Sequence, residues 1–103
     1  MGYIYLINEL GTNNYKIGVT KHDDINNRKS KLQTGNSNEL YLIRKYETNY
    51  PFKLEQMLHR HYFKNNIKNE WFLLTDEQVF DFINVCDKYN NIINLLKSEN
   101  PFY

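Results

Sequence analysis

Apolar and polar positions along the chain alternate in a way that predicts six elements. Tyr3 to Ile7 is a β-branched and aromatic run and reads as a strand, as does Tyr15 to Thr20. NELGTNN between them is hairpin-loop chemistry. The spacing after KHDD predicts a helix over Ile25 to Gln33, with Asp23 or Asp24 as its N-cap. TGNSN breaks the pattern, and Leu40 to Glu47 reads as a third strand. Asn49, Tyr50 and Pro51 open a second helix that runs through Phe63, with the proline near its first turn. Asn69 to Leu74 is a short aromatic piece that reads as extended. Thr75, Asp76 and Glu77 start a third helix. Its core face is Val79, Phe82, Ile83 and Cys86, and Ile92, Ile93 and Leu96 continue it past an expected kink at Asn90 and Asn91. The order β-β-α-β-α-α predicts an α+β fold: a small three-stranded antiparallel sheet flanked by helices, as one domain over residues 1–103.

Two charges fall on stripes that should be apolar. Arg28 shares a helix face with Ile25 and Leu32. Glu55 shares one with Phe52, Leu58, His59 and Tyr62. A charge on a buried stripe is unfavourable unless it is paired or binds something. Three readings follow: the two charges pair across the helices, a helix is rotated so that its charge lies at the rim, or the two meet at a sheet edge as a cation and a metal-binding carboxylate.

Composition narrows the class. With 103 residues the chain supports one modest core, and nine tyrosines among 16% aromatics help to fill it. A single cysteine excludes an internal disulfide framework and a thiolate metal cluster, and fits a reducing compartment. The N-terminus lacks the pattern of a secretory leader and no stretch reaches a membrane span, so an intracellular protein with no membrane partner is expected. Net charge is only +1, but ten Lys/Arg against six Asp/Glu lie up to Lys64, and three against six thereafter. On charge alone this is also an ordinary mixed surface.

Gly2-Tyr3-Ile4-Tyr5, followed by Lys16-Ile17-Gly18, Thr20, Arg28 and Leu54-Glu55-x-x-Leu58, resembles the GIY-YIG nucleases in order and spacing. Leu32-Gln33-Thr34-Gly35-Asn36 and Glu70-Trp71-Phe72 resemble the small single-domain branch found in phages and large DNA viruses. The resemblance covers residues 2–75 and leaves 76–103 as a helical C-terminal part. Lys16 stands where the second motif usually has Tyr, while the neighbouring Tyr15 would point to the other strand face. Asn65, Asn66 and Asn69 compete for the family's late Asn.

The resemblance implies an endonuclease that hydrolyses nucleic-acid phosphodiesters, DNA before RNA, with Mg²⁺ or Mn²⁺ held by Glu55. Arg28 would stabilise charge on the phosphate. Tyr5 would orient or deprotonate the attacking water, with Lys16 as its neighbouring cation or as the base itself. Tyr3 packs the hairpin or supports the site. His59, one turn after Glu55, reaches the site or is a partly exposed helix residue. Lys21, Lys29 and Lys31 flank the cleft as backbone contacts or as solvated surface. His22 reads as a loop residue, and Trp71 and Phe72 as core anchors. A nucleic-acid-binding module without cleavage is the alternative, and a protein-interaction domain with an internal Arg28–Glu55 pair is the third class. A second copy of the chain and a specificity-supplying protein both stay open as partners.

Overall fold

The computed structural model describes residues 1–21 and 39–99. Strands β1 (Gly2–Glu9) and β2 (Asn14–Thr20) form an antiparallel hairpin. Its loop turns at Gly11, whose φ of 81° suits a residue without Cβ. The Asn8 amide donates to the carbonyls of Thr12 and Asn14, both at 3.1 Å, which ties the loop to the strands. Strand β3 (Leu40–Thr48) lies antiparallel on the other side of β1, with a register shift at Leu6/Ile7. Helix α1 (Pro51–His61) follows, with the proline in the first turn, where a missing N–H is harmless. A 3₁₀ turn at Phe63–Asn65 leads into β4 (Asn66–Lys68) and β5 (Trp71–Leu73), and helix α2 (Asp76–Glu99) ends the description.

The three-stranded sheet and the order β-β-α-β-α-α are corrected. The sheet has five strands in the order β3-β1-β2-β5-β4, all neighbours antiparallel, and the described residues carry two α-helices. The two extra strands are three residues each, too short for alternation to be read. Backbone pairing makes them strands: β5 pairs with Asn14–Lys16 of β2, and β4 folds back on β5 through Asn69, whose φ of 51° is a conformation asparagine tolerates. The helix expected over 25–33 lies outside the described residues.

Both sheet faces are used. Ile4, Leu6, Tyr15 and Ile17 pack with Leu54, Leu58 and Tyr62 around α1 and with Phe82, Cys86 and Ile93 of α2. Each fully buried aliphatic side chain contributes about 1.5–3 kcal/mol. On the opposite face Tyr5, Ile7 and Leu40 form a smaller cluster with Tyr3, Leu42 and Trp71 at its margin. Phe72 is buried among the α1-side residues and Trp71 is half-buried on the other side, as strand alternation requires.

Helix α2 starts in a capping box. The Thr75 hydroxyl accepts from the Gln78 N–H at 3.1 Å, and the Gln78 side chain accepts from the Thr75 N–H at 3.0 Å. The expected kink at Asn90 and Asn91 is absent, because the helix is continuous. Asn90 instead accepts from the Thr48 hydroxyl at 2.5 Å. Tyr46 donates to Asp87 and Tyr50 to Asn94, each at 2.6 Å, so polar groups clip α2 to β3 and the residues after it. The apolar stripe also ends sooner than expected, since Leu96 is exposed.

Candidate active site

Register places the motif residues. Tyr5 opposes Gly18, and Ile7 opposes Lys16, so Tyr3, Tyr5 and Lys16 share the sheet face away from α1. Tyr15 points to the α1 side, into the main core. Gly18 has a direct steric reason. A Cβ built there would lie under 3.0 Å from the Tyr5 hydroxyl, Cζ and Cε1, so the phenol lies across the space a side chain would fill. The completely buried Tyr5 ring therefore leads from β1 across β2, toward the outer edge of β2.

Among the described residues that outer edge is only partly covered. Strand β5 pairs with β2 as far as Lys16, and the Ile17 N–H donates to the Glu70 carbonyl at 3.1 Å. Beyond this point helix α1 takes over. The Ile17 carbonyl accepts from His59 Nε2 at 2.9 Å, which fixes the proton on Nε2 because a carbonyl cannot donate. The His59 ring also packs edge-on to Phe72, with centroids 5.0 Å apart. At the other end of α1, Pro51 abuts Gly2; a Cβ on Gly2 would lie 2.9 Å from Pro51 Cγ and 2.8 Å from the Thr20 carbonyl oxygen.

Glu55 lies between these two anchor points on the same helix. It is one turn, about 6 Å, before His59. Glu55 is half-buried and its Oε2 is sealed from solvent. Its helix packs on the sheet face opposite Tyr5. Phe52, expected on the buried stripe, is exposed instead, with the Lys21 ammonium 5.5 Å from its ring centroid.

Lys16 forms an ion pair with Glu70 at 3.2 Å. Tyr3 is half-buried, with the Lys45 ammonium 5.3 Å from its ring centroid, and Lys45 opposes Tyr5 across β1 and β3. Glu70 and Lys45 were missed in the sequence. Glu70 was visible only as part of a motif, and the face of Lys45 depends on the β1–β3 register shift. His61 diverges from His59, as residues two apart on a helix must. Its Nδ1 lies 2.8 Å from the Tyr89 hydroxyl, and burial lowers its pKa.

The competing asparagines separate. Asn65 holds the fold, donating to the Leu73 carbonyl at 2.9 Å and to Gln78 at 3.2 Å. Asn66 and Asn69 border a hollow together with His59. Arg28, Lys29, Lys31 and His22 lie outside the described residues. Among the described residues no cluster of three or more His, Cys, Asp or Glu side chains is poised to hold a metal, and no helix is long and apolar enough to cross a membrane.

No curated protein and no solved structure matches the chain. One family model does, the T5orf172 domain, over residues 2–87. The match takes in β1 to β5, α1 and the first half of α2, and so every described residue of the candidate site. The chain belongs to the T5orf172 domain family, a phage-associated family linked to nucleases.

Proposed function

We propose that the chain is a metal-dependent endonuclease of GIY-YIG type, hydrolysing phosphodiester bonds in nucleic acid, with DNA as the first candidate. The observation that carries this reading is the Tyr5 phenol lying over Gly18 of β2, the same strand to which His59 anchors the helix that carries Glu55. The family's link to nucleases supports the same class of substrate.

The residues fit a divalent ion of the right kind. A single carboxylate such as Glu55, with one oxygen sealed from solvent, suits Mg²⁺, which keeps several waters and shares substrate phosphate oxygens. Glu55 would hold it, and when bound it supplies Lewis-acid stabilisation of phosphate charge. Tyr5, buried with its ring over Gly18, would orient the attacking water from the β1 side. An ordinary phenol, with a pKa of about 10, is a weak base, so its part is to orient the water unless a cation beside it assists. Lys16, on the same sheet face and paired with Glu70, would be that cation. His59 holds α1 against the β2 edge and thereby sets where Glu55 stands. Arg28 keeps the role given by the resemblance, a cation for the charge that builds on the phosphate.

The test is incubation of end-labelled DNA with folded protein and Mg²⁺ or Mn²⁺. Cleavage that disappears on chelation and in Glu55→Gln supports the reading, and intact DNA under every condition overturns it. The second reading, a binding module that has lost cleavage, is favoured by Lys16 standing in the tyrosine position and being engaged by Glu70. Binding without turnover, unchanged by Glu55→Gln, would establish that reading instead.

A further inference from the structure

Beside the candidate site lies a hollow of about 190 Å³ lined by His59, Phe63, Asn66, Asn69 and Phe72. We propose that it is a subsite for one unpaired nucleobase of the bound strand; this rests on nucleic acid being the partner of the site described above. The hollow is smaller than the roughly 300–1,000 Å³ of sites for drug-sized ligands, so its shape suits a single planar ring system.

Its lining has the two elements that base recognition needs. Phe63 leaves 73% of its surface in water although its neighbour Tyr62 is buried, so its ring contributes little to the core. A flat aromatic face exposed beside a phosphate site is a stacking platform that any base can use. The polar element comes from the β4–β5 hairpin. Asn66 Nδ2 donates to the carbonyls of Asn69 at 2.9 Å and Trp71 at 3.0 Å, which locks the amide and leaves Oδ1 as a fixed acceptor. The Asn69 amide has no hydrogen bond among the described residues, and the residue is held at a φ of 51°, so it offers both a donor and an acceptor. Together these complement the mixed donor and acceptor edge of a base that has no pairing partner.

Position joins the hollow to the chemistry. His59 lines it and touches the β2 edge through Ile17, and Glu55 is one helical turn away, about 6 Å. A strand whose phosphate lies at Glu55 therefore has an adjacent base within reach of Phe63. A base kept in a duplex cannot enter, so the subsite favours single-stranded, frayed or flipped nucleotides.

The experiment is a cycle of protein variants against strand variants, read by fluorescence anisotropy with divalent ions chelated. The probes are a short all-thymine DNA strand, the same backbone with abasic residues, and the corresponding duplex. Wild-type protein should prefer the base-bearing strand, and Phe63→Ala should weaken that strand about 5- to 150-fold, the range set by the loss of one stacked base. The abasic strand and the duplex should bind equally well to both proteins. Phe63→Tyr, which keeps the flat ring, should retain affinity. Asn69→Gly, which keeps the backbone conformation and removes the amide, should also weaken the base-bearing strand, and it stands in if Phe63→Ala fails to fold. Equal losses on base-bearing and abasic strands, or no loss on either, overturn the subsite. Base-dependent binding by a protein that cleaves nothing supports the subsite while removing the nuclease reading. Cleavage with no base dependence does the reverse.

Discussion

Replacing Gly18 by Ala tests the closest packing in the candidate site. The new Cβ would sit 2.8 Å from Tyr5 Cε1 and nearer still to Cζ and the hydroxyl, and the ring is completely buried beside Ile7 and Leu40. It cannot slide aside without displacing those neighbours, so overpacking should cost about 1–3 kcal/mol. Alanine recovers about 0.5–1 kcal/mol in a strand interior relative to glycine. A net loss of about 1–2 kcal/mol corresponds to a fall in Tm of roughly 5–15 °C for a domain of this size. The assay is thermal and urea unfolding of the wild type, Gly18→Ala, Tyr5→Leu and the double variant. The alanine should be nearly silent once Tyr5 is shortened, giving a coupling energy of about 1–2 kcal/mol. Cleavage, if the proposed function holds, should fall in Gly18→Ala even at temperatures where the variant is fully folded. A Tm unchanged from wild type, or a penalty undiminished by Tyr5→Leu, would refute the steric account of the glycine.

Other perturbations have equally definite outcomes. Tyr62 buries a hydroxyl that has no hydrogen bond among the described residues, and burial raises its pKa, so Tyr62→Phe should raise Tm rather than lower it. Thr75→Ala removes one half of the capping box and should cost about 1 kcal/mol, or roughly 4–8 °C in Tm. Glu70→Gln breaks a partly exposed pair, so stability should change by less than about 1 kcal/mol, while the released Lys16 should tighten nucleic-acid binding and steepen its salt dependence by about one phosphate contact. Burial pushes the Cys86 thiol from 9.0 up to about 12, so the protonated thiol stabilises the fold fully below pH 9 and progressively less toward pH 12. Cys86→Ala should be less stable at neutral pH yet lose less stability over that alkaline range, measured by urea midpoints.

The long elements were legible because their physics is local. The runs at Tyr3–Ile7 and Tyr15–Thr20, the proline at the start of α1 and Thr75 before α2 each carry their own signal, and each element lies within a few residues of its expected place. The β4–β5 hairpin was legible only as an extended piece at Asn69–Leu74, because three-residue strands have no readable period: β5 exists through pairing with β2, and β4 through pairing with β5. The same cause hid Glu70, whose carbonyl and carboxylate both reach β2 from the hairpin turn. Asn90 misled because asparagine weakens a helix by propensity, whereas here its side chain accepts a tertiary bond from Thr48. At the site, strand alternation correctly put Tyr5 and Lys16 on one face and Tyr15 on the other. The side of the sheet on which Glu55's helix packs was not legible, because it depends on tertiary packing: Leu54 and Leu58 join the core on the face opposite Tyr5.

If the proposed function holds, Tyr5, Lys16 and Glu55 address a single phosphate at the outer edge of β2. Anomalous diffraction from crystals of Tyr5→Phe grown with Mn²⁺ and a short DNA strand tests this most directly. The expected result is one manganese peak on the Glu55 carboxylate, with a backbone phosphate between it and the ring at position 5. Manganese bound elsewhere, or a strand lying on the outer surface of α1 and α2 with Glu55 untouched, would contradict it.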